Sequence, residues 1–256
     1  MGHPRGLSGG LLAVVALVMG MLVGGCGGAR LIGTEQEIEL GRQAGEKFER
    51  TNGGLDRDPR RVSLADEIGR RVGAVAGAPP YVAYPYEFRV LANDQVNANA
   101  FPGGLIYLWR GLYDQLGYDR DQLAWVAGHE AAHVARQHGV RRIERALGYE
   151  LIIELLLGKD SQREIAGAVA GLTLQSYSRD QEYEADRIGL EFSHAAGYDP
   201  TAALAVLQAF RKIQGKDPSQ LELLFETHPG NTARENALKA HLQRKGWSGR
   251  YYRPSG

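Results

Sequence analysis

Residues 120–138 read RDQLAWVAGHEAAHVARQH, and their apolar positions do not keep to one stripe. Leu123, Trp125, Val126, Ala127, Ala131, Ala132, Val134 and Ala135 fall on nearly every side of a helix, which predicts a helix buried all round rather than one lying on a surface. Elsewhere the periodicity is one-sided. Ile38, Gly41, Ala44 and Phe48 recur at helical spacing behind Thr34-x-x-Glu37, a capping-box pattern. Residues 51–60 read as a loop, and Leu64, Ile68, Val72 and Val75 mark a second helix that starts at Ser63-x-x-Asp66 and stops at Ala78-Pro79-Pro80. Residues 86–91 and 104–109 read as strands. Residues 147–174 are mostly helical in pattern and punctuated by glycine; Gly197 closes a helix over residues 178–190 and beyond, and Asp199-Pro200 opens another with Asp as N-cap. The order predicts an α+β fold, mainly helical, with a small sheet beside the buried helix.

That helix carries His129-Glu130-Ala131-Ala132-His133. Residues four apart on a helix project from one face, so both imidazoles can reach one metal ion at about 2.0–2.1 Å. Glu130 is next to the first of them and can reach the position where water would bind, a carboxylate beside a water whose acidity a metal raises. HExxH also arises by chance on solvated helix faces. Here the burial argues against that, because unpaired buried polar groups cost roughly 2–7 kcal/mol each and a metal satisfies all three at once.

Two His leave a catalytic zinc one protein ligand short, since such sites usually supply three. The best source is the segment from Ser178 to Leu190, where Glu182 and Asp186 are four apart and share a face. In one assignment Glu182 binds the metal while Asp186 accepts the free N–H of a ligand His and fixes its tautomer. The alternative is an ordinary acidic surface helix, since Asp180, Glu182, Glu184, Asp186 and Arg187 form a mixed charged run.

HExxH followed by Ser178-Arg179-Asp180-Gln181-Glu182-Tyr183-Glu184-Ala185-Asp186 resembles the HtpX/CAAX-prenyl-protease family of zinc metallopeptidases, of the gluzincin type. Further matches are Asn99-Ala100-Phe101-Pro102-Gly103-Gly104-Leu105-Ile106, Thr227-His228-Pro229 with Arg234, and the opening Thr34 to Arg42, all in family order. The resemblance implies a zincin-like domain over residues 34–256 with one Zn2+ bound by His129, His133 and Glu182, Glu130 as general base, and endopeptidase activity on polypeptides. It is closest to the soluble bacterial envelope lipoprotein branch. The family match also favours Gly103, Gly104 and Leu105 as part of an edge strand that pairs with extended substrate; turn chemistry by itself favours a simple tight turn there. His228 has three readings: a fourth zinc ligand at rest, an oxyanion stabiliser, or a structural residue before Pro229. Arg234 holds either that segment or the substrate. His138, five after His133 and off the ligand face, is expected to end the helix, and His194 and His241 to be structural.

The first 25 residues read as a lipoprotein signal peptide: Arg5, then an apolar core from Leu11 to Val23 that is too short to span a bilayer, then Val23-Gly24-Gly25-Cys26. Cys26, the sole cysteine, would be the lipidated residue, with 26–33 as a tether. A plain signal peptide with an idle Cys is the other reading. Gly27 after Cys26 favours the periplasmic face of the outer membrane over inner-membrane retention. Lys plus Arg and Asp plus Glu both number 30, which gives no electrostatic footprint for nucleic acid. Two functions follow: a zinc endopeptidase acting on unfolded or misassembled envelope proteins, or a chaperone-like envelope binding protein with a latent or structural zinc. Glu130 speaks against the second, because a structural site needs no base.

Overall fold

The computed structural model describes residues 32–146, 169–171, 175–214, 218–228 and 232–253. The signal segment, Cys26 and most of the residue 147–174 stretch lie outside them. In chain order the elements are α1 (Thr34–Thr51), α2 (Pro59–Ala76), β1 (Glu87–Leu91), β2 (Ala98–Ala100), a 3-10 turn (Pro102–Gly104), β3 (Leu105–Trp109), α3 (Arg110–Gln115), α4 (Arg120–Ala135), α5 (Arg179–Ala195), α6 (Ala202–Gln214), a 3-10 turn (Pro218–Leu221), α7 (Glu222–Thr227) and α8 (Thr232–Lys245). The fold is mainly helical α+β, as the pattern predicted. Among the described residues no helix is long and apolar enough to cross a membrane.

The sheet has the order β1-β3-β2, with β1 parallel and β2 antiparallel to β3. β3 is buried at every position, as a strand with neighbours on both edges and helices on its faces must be. Ile106 and Leu108 are buried with Ile68 of α2, Leu112 of α3 and Leu123 of α4, while Leu105, Tyr107 and Trp109 pack with Phe48 and Phe101 under α1. This alternation lets one strand serve two cores. Each aliphatic side chain so buried stabilises the fold by about 1.5–3 kcal/mol.

α4 is buried without a break from Leu123 to Ala135. It is positioned against α5 by two glycines. A Cβ on Gly128 would stand 2.6 Å from the carbonyl oxygen of Gly189, and one on Gly189 would stand 2.6 Å from the amide nitrogen of His129. The two backbones touch there, which only glycine permits.

Three helix starts differ from the pattern. α1 is capped by Gln36, whose side chain accepts from the Gly33 N–H at 2.9 Å; Glu37 turns inward to accept from the Tyr84 hydroxyl at 2.6 Å. α2 begins at Pro59, because Asp58 accepts from the Arg60 N–H at 2.8 Å and Pro suits the first turn. Asp199 does accept from Thr201 N–H at 2.8 Å, yet regular helix begins only at Ala202. α4 ends at Ala135, where Gln137 takes a left-handed φ of 57° and residues 138–146 form a new helical stretch.

Candidate metal centre

His129 and His133 lie one turn apart on α4, and Glu182 is in the first turn of α5, whose Ser178 cap accepts from the Gln181 N–H. His228 stands at the C-cap of α7. All four side chains are buried, and one donor atom from each lies within 4.8 Å of the others. His129 Nε2 is 3.1 Å from His133 Nε2 and 3.3 Å from His228 Nδ1. Glu182 Oε1 is 3.0 Å from His228 Nδ1 and 3.4 Å from His133 Nε2. Donors on a tetrahedral zinc at about 2.0–2.1 Å stand about 3.3 Å from one another, so the spacing fits a metal of that size.

Charge fits as well. Among the described residues Glu130, Glu182 and Asp186 are buried with Arg234, three carboxylates against one guanidinium, and a divalent cation balances the remainder if the imidazoles are neutral. The negative excess is felt by His228. Burial alone would lower its pKa, but Glu182 and Glu130 raise it above the ordinary imidazole value. Burial holds His133 well below that value against the pull of Glu182, which keeps it in the neutral form that a ligand needs. Burial would raise the Glu182 carboxyl, but His228, His133 and Arg234 together hold it well below the ordinary range.

Behind the donors stands a layer of orienting groups. His129 Nδ1 faces Asp186 Oδ1 at 3.1 Å. Arg234 donates to both Asp186 oxygens, at 2.7 and 2.6 Å, and its Nη1 lies 2.7 Å from Glu182 Oε2. Tyr177 stacks on the His133 ring at 3.8 Å between centroids. The acidic run on α5 thus divides: Asp180 and Arg187 face solvent, while Glu182 and Asp186 turn inward.

Glu130 Oε1 is 3.4 Å from His228 Nε2, and its Oε2 is buried with no hydrogen-bond partner among the described residues. A carboxylate oxygen held so is costly unless something arrives to use it. Glu130, His129 and His228 line a cavity of about 320 Å³ whose apolar wall includes Trp125, Leu207 and Phe210.

Two expectations are corrected. Gly103, Gly104 and Leu105 do not form an edge strand at the cleft. β3 is the central strand, so its backbone bonds are taken by β1 and β2. Gly103 (φ 76°) packs on α1, where a Cβ would stand 2.4 Å from Ile38 Cα. The sheet edge that reaches the cavity is β2, through Ala98. Asn and Ala are weak strand formers, which hid β2 from the pattern. Arg234 is bonded to Asp186 and Glu182 and also lines the cavity beside Glu130. His138 was expected only to end a helix. It is buried, with Nδ1 2.9 Å from His133 Nδ1 and Nε2 3.0 Å from Glu184 Oε2. Its burial was the missing signal, and that depends on the turn at Gln137.

The sequence profile of peptidase family M48 matches residues 61–242. The chain is 28% identical over 207 residues to the beta-barrel assembly-enhancing protease of Escherichia coli K12, covering 76% of this chain and 41% of that protein. It is 26% identical over 193 residues to metalloprotease LoiP of Escherichia coli K12, covering 73% of this chain and 71% of that one. Against the mitochondrial metalloendopeptidase OMA1 of Arabidopsis thaliana it is 32% identical over 154 residues, covering 60% and 31%. The chain therefore spans about two fifths of the length of the beta-barrel assembly-enhancing protease.

Proposed function

The chain belongs to peptidase family M48 and is a metallopeptidase, and on that premise we propose that it hydrolyses unfolded or misassembled cell-envelope proteins at a zinc centre held by His129, His133 and Glu182. The observation that carries this reading is the convergence of His129 Nε2, His133 Nε2, Glu182 Oε1 and His228 Nδ1 on one point beside Glu130. Zinc bound there supplies a Lewis acid for the scissile carbonyl and raises the acidity of water. Glu130 is the general base: its unpartnered Oε2 takes the proton of the attacking water, and the same carboxyl returns it to the leaving amine. Asp186 and Arg234 hold His129 and Glu182 in place during this exchange.

His228 fills the fourth donor position at rest in this reading, supported by its Nδ1 distances to His129 and Glu182. Substrate would then have to displace it. β2 is the outer strand of the sheet on the cavity side among the described residues and is the strand an extended peptide would pair with, and the apolar cavity beside Glu130 takes a bulky side chain next to the scissile bond. Backbone pairing with a broad apolar cavity suits unfolded chains of varied sequence.

The envelope assignment draws on the lipobox-like segment ending at Cys26 and on relatives named beta-barrel assembly-enhancing protease. A lipid on Cys26 would tether the enzyme to the periplasmic face of the outer membrane. Cys26→Ser should then abolish lipid labelling and release the protein to the soluble fraction with its activity intact; retention in the membrane would sink the anchor. For the activity itself, cleavage of casein should be abolished by chelator and restored by zinc. No cleavage by zinc-loaded protein, with casein merely bound, would favour the chaperone-like reading instead.

A further inference from the structure

The two histidines of α4 are backed differently. His129 meets its carboxylate directly, through Nδ1 and Asp186 Oδ1, and Asp186 is gripped by Arg234. At Nδ1 of His133 the neighbour is another imidazole, His138, at 2.9 Å. The far nitrogen of His138 is 3.0 Å from Glu184 Oε2, and the other oxygen of Glu184 lies 2.8 Å from Arg136 Nε. Each ligand histidine therefore leads to a carboxylate held by an arginine, one in a single step and the other in two.

The protons along the second path follow from the first atom. His133 turns Nε2 toward the donor cluster, so that nitrogen must keep its lone pair and the N–H must sit on Nδ1. This N–H donates to Nδ1 of His138, which must then be bare. The proton of His138 is thereby on Nε2, where it donates to the Glu184 carboxylate. Only this order satisfies all three groups, and it leaves His133 in the form that binds metal. A continuous helix could not build the relay, since a residue five positions on points about 140° away at 3.6 residues per turn. The break at Gln137 swings His138 back, and the Gln137 side chain is held by donating to the Tyr84 hydroxyl at 2.9 Å.

We propose that His138 is a positioning residue for the metal centre, relaying the negative charge of Glu184 to His133 so that His133 is kept as the Nδ1-protonated tautomer, oriented and made a stronger ligand. This rests on the reading that His129, His133 and Glu182 hold a metal. The relay acts on affinity before it acts on turnover, so it has a readout apart from catalysis. Outer partners of this kind change metal affinity by about 10–100-fold.

The test is zinc affinity by chelator competition, with the visible spectrum of the cobalt-loaded protein beside it. His138→Leu removes the acceptor and should weaken zinc binding by about 10–100-fold and alter the cobalt spectrum. His138→Asn offers a side-chain carbonyl where Nδ1 stood and should recover most of that loss, a rescue that a merely space-filling role would not give. Glu184→Ala, at a partly exposed side chain, should weaken zinc several-fold and provides the measurement if His138→Leu fails to fold. Parent-like affinity in His138→Leu or in Glu184→Ala overturns the relay, as does an Asn variant as weak as the Leu variant. Those results leave zinc binding by the parent intact. Absence of zinc binding by the parent would instead overturn the metal-centre reading along with the relay.

Discussion

Arg234 forks onto Asp186, with Nε 2.7 Å from Oδ2 and Nη2 2.6 Å from Oδ1, and both side chains are buried. Asp186 in turn faces His129, and the third nitrogen of Arg234 reaches Glu182. One guanidinium from α8 thus bonds two groups of the candidate metal centre at the wall of the cavity. Breaking a buried pair on one side costs about 3–5 kcal/mol. Arg234→Met should destabilise the metal-free protein by that order in denaturant unfolding, and Arg234→Lys should recover only part, since a lysine keeps the charge and loses the fork. A loss below about 1 kcal/mol, the scale of exposed pairs, would show that the fork is not holding the site.

Glu130→Gln should retain zinc at the parent level and lose casein cleavage by several orders of magnitude. The amide is nearly the same size and cannot take a proton, so fold and metal content serve as internal controls. Elemental analysis and a fluorogenic casein assay measure the two quantities; a variant still active would remove Glu130 from the role of base.

His228→Ala separates the two active roles of that residue. If Nδ1 occupies the fourth donor position at rest, the substitution opens the centre and basal cleavage should rise, with zinc held more weakly. If the ring acts on the oxyanion, kcat should fall by about 10²–10³ with zinc content unchanged. The distances of 3.3 Å to His129 and 3.0 Å to Glu182 lead us to expect the first.

Gly189→Ala tests the contact that brings α4 to α5. The added methyl would stand 2.6 Å from the His129 amide nitrogen, and backbone cannot yield as a flexible side chain can. The helices must separate, which should lower the melting temperature and weaken zinc binding together. Gly171→Ala, where a Cβ meets nothing within 4 Å among the described residues, is the control and should do neither.

Asp56 accepts from the Asp58 N–H at 2.7 Å and from Arg61 Nε at 2.9 Å. Burial raises its pKa, but these partners outweigh burial and hold it below the ordinary value. A carboxyl depressed on folding contributes stability that is fully present above its unfolded pKa of about 3.9 and is lost as pH falls through the folded value. The melting-temperature gap between the parent and Asp56→Asn should therefore be full at neutral pH and close below about pH 4. A gap that does not vary with pH would mean that Asp56 acts only through shape.

What lay open in the one-dimensional pattern was whatever helix geometry decides locally. Spacing of four puts His129 with His133 and Glu182 with Asp186 on shared faces wherever those helices lie, and apolar residues on all sides of the HExxH segment required its burial. The burial of α4 and the inward turn of Glu182 and Asp186 agree with that reading. Everything that depends on residues far apart in the chain was settled by packing. Strand order is such a property: β3 became central because β1 and β2 took its two edges, and nothing within Gly103-Gly104-Leu105 records that. So are the passage of Gly128 against Gly189, the fork of Arg234 on Asp186, and the return of His138 to His133 after the turn at Gln137. Periodicity tells a side chain which face of its own element it occupies. It carries no information about which other element that face will meet, and a metal centre is assembled from such meetings.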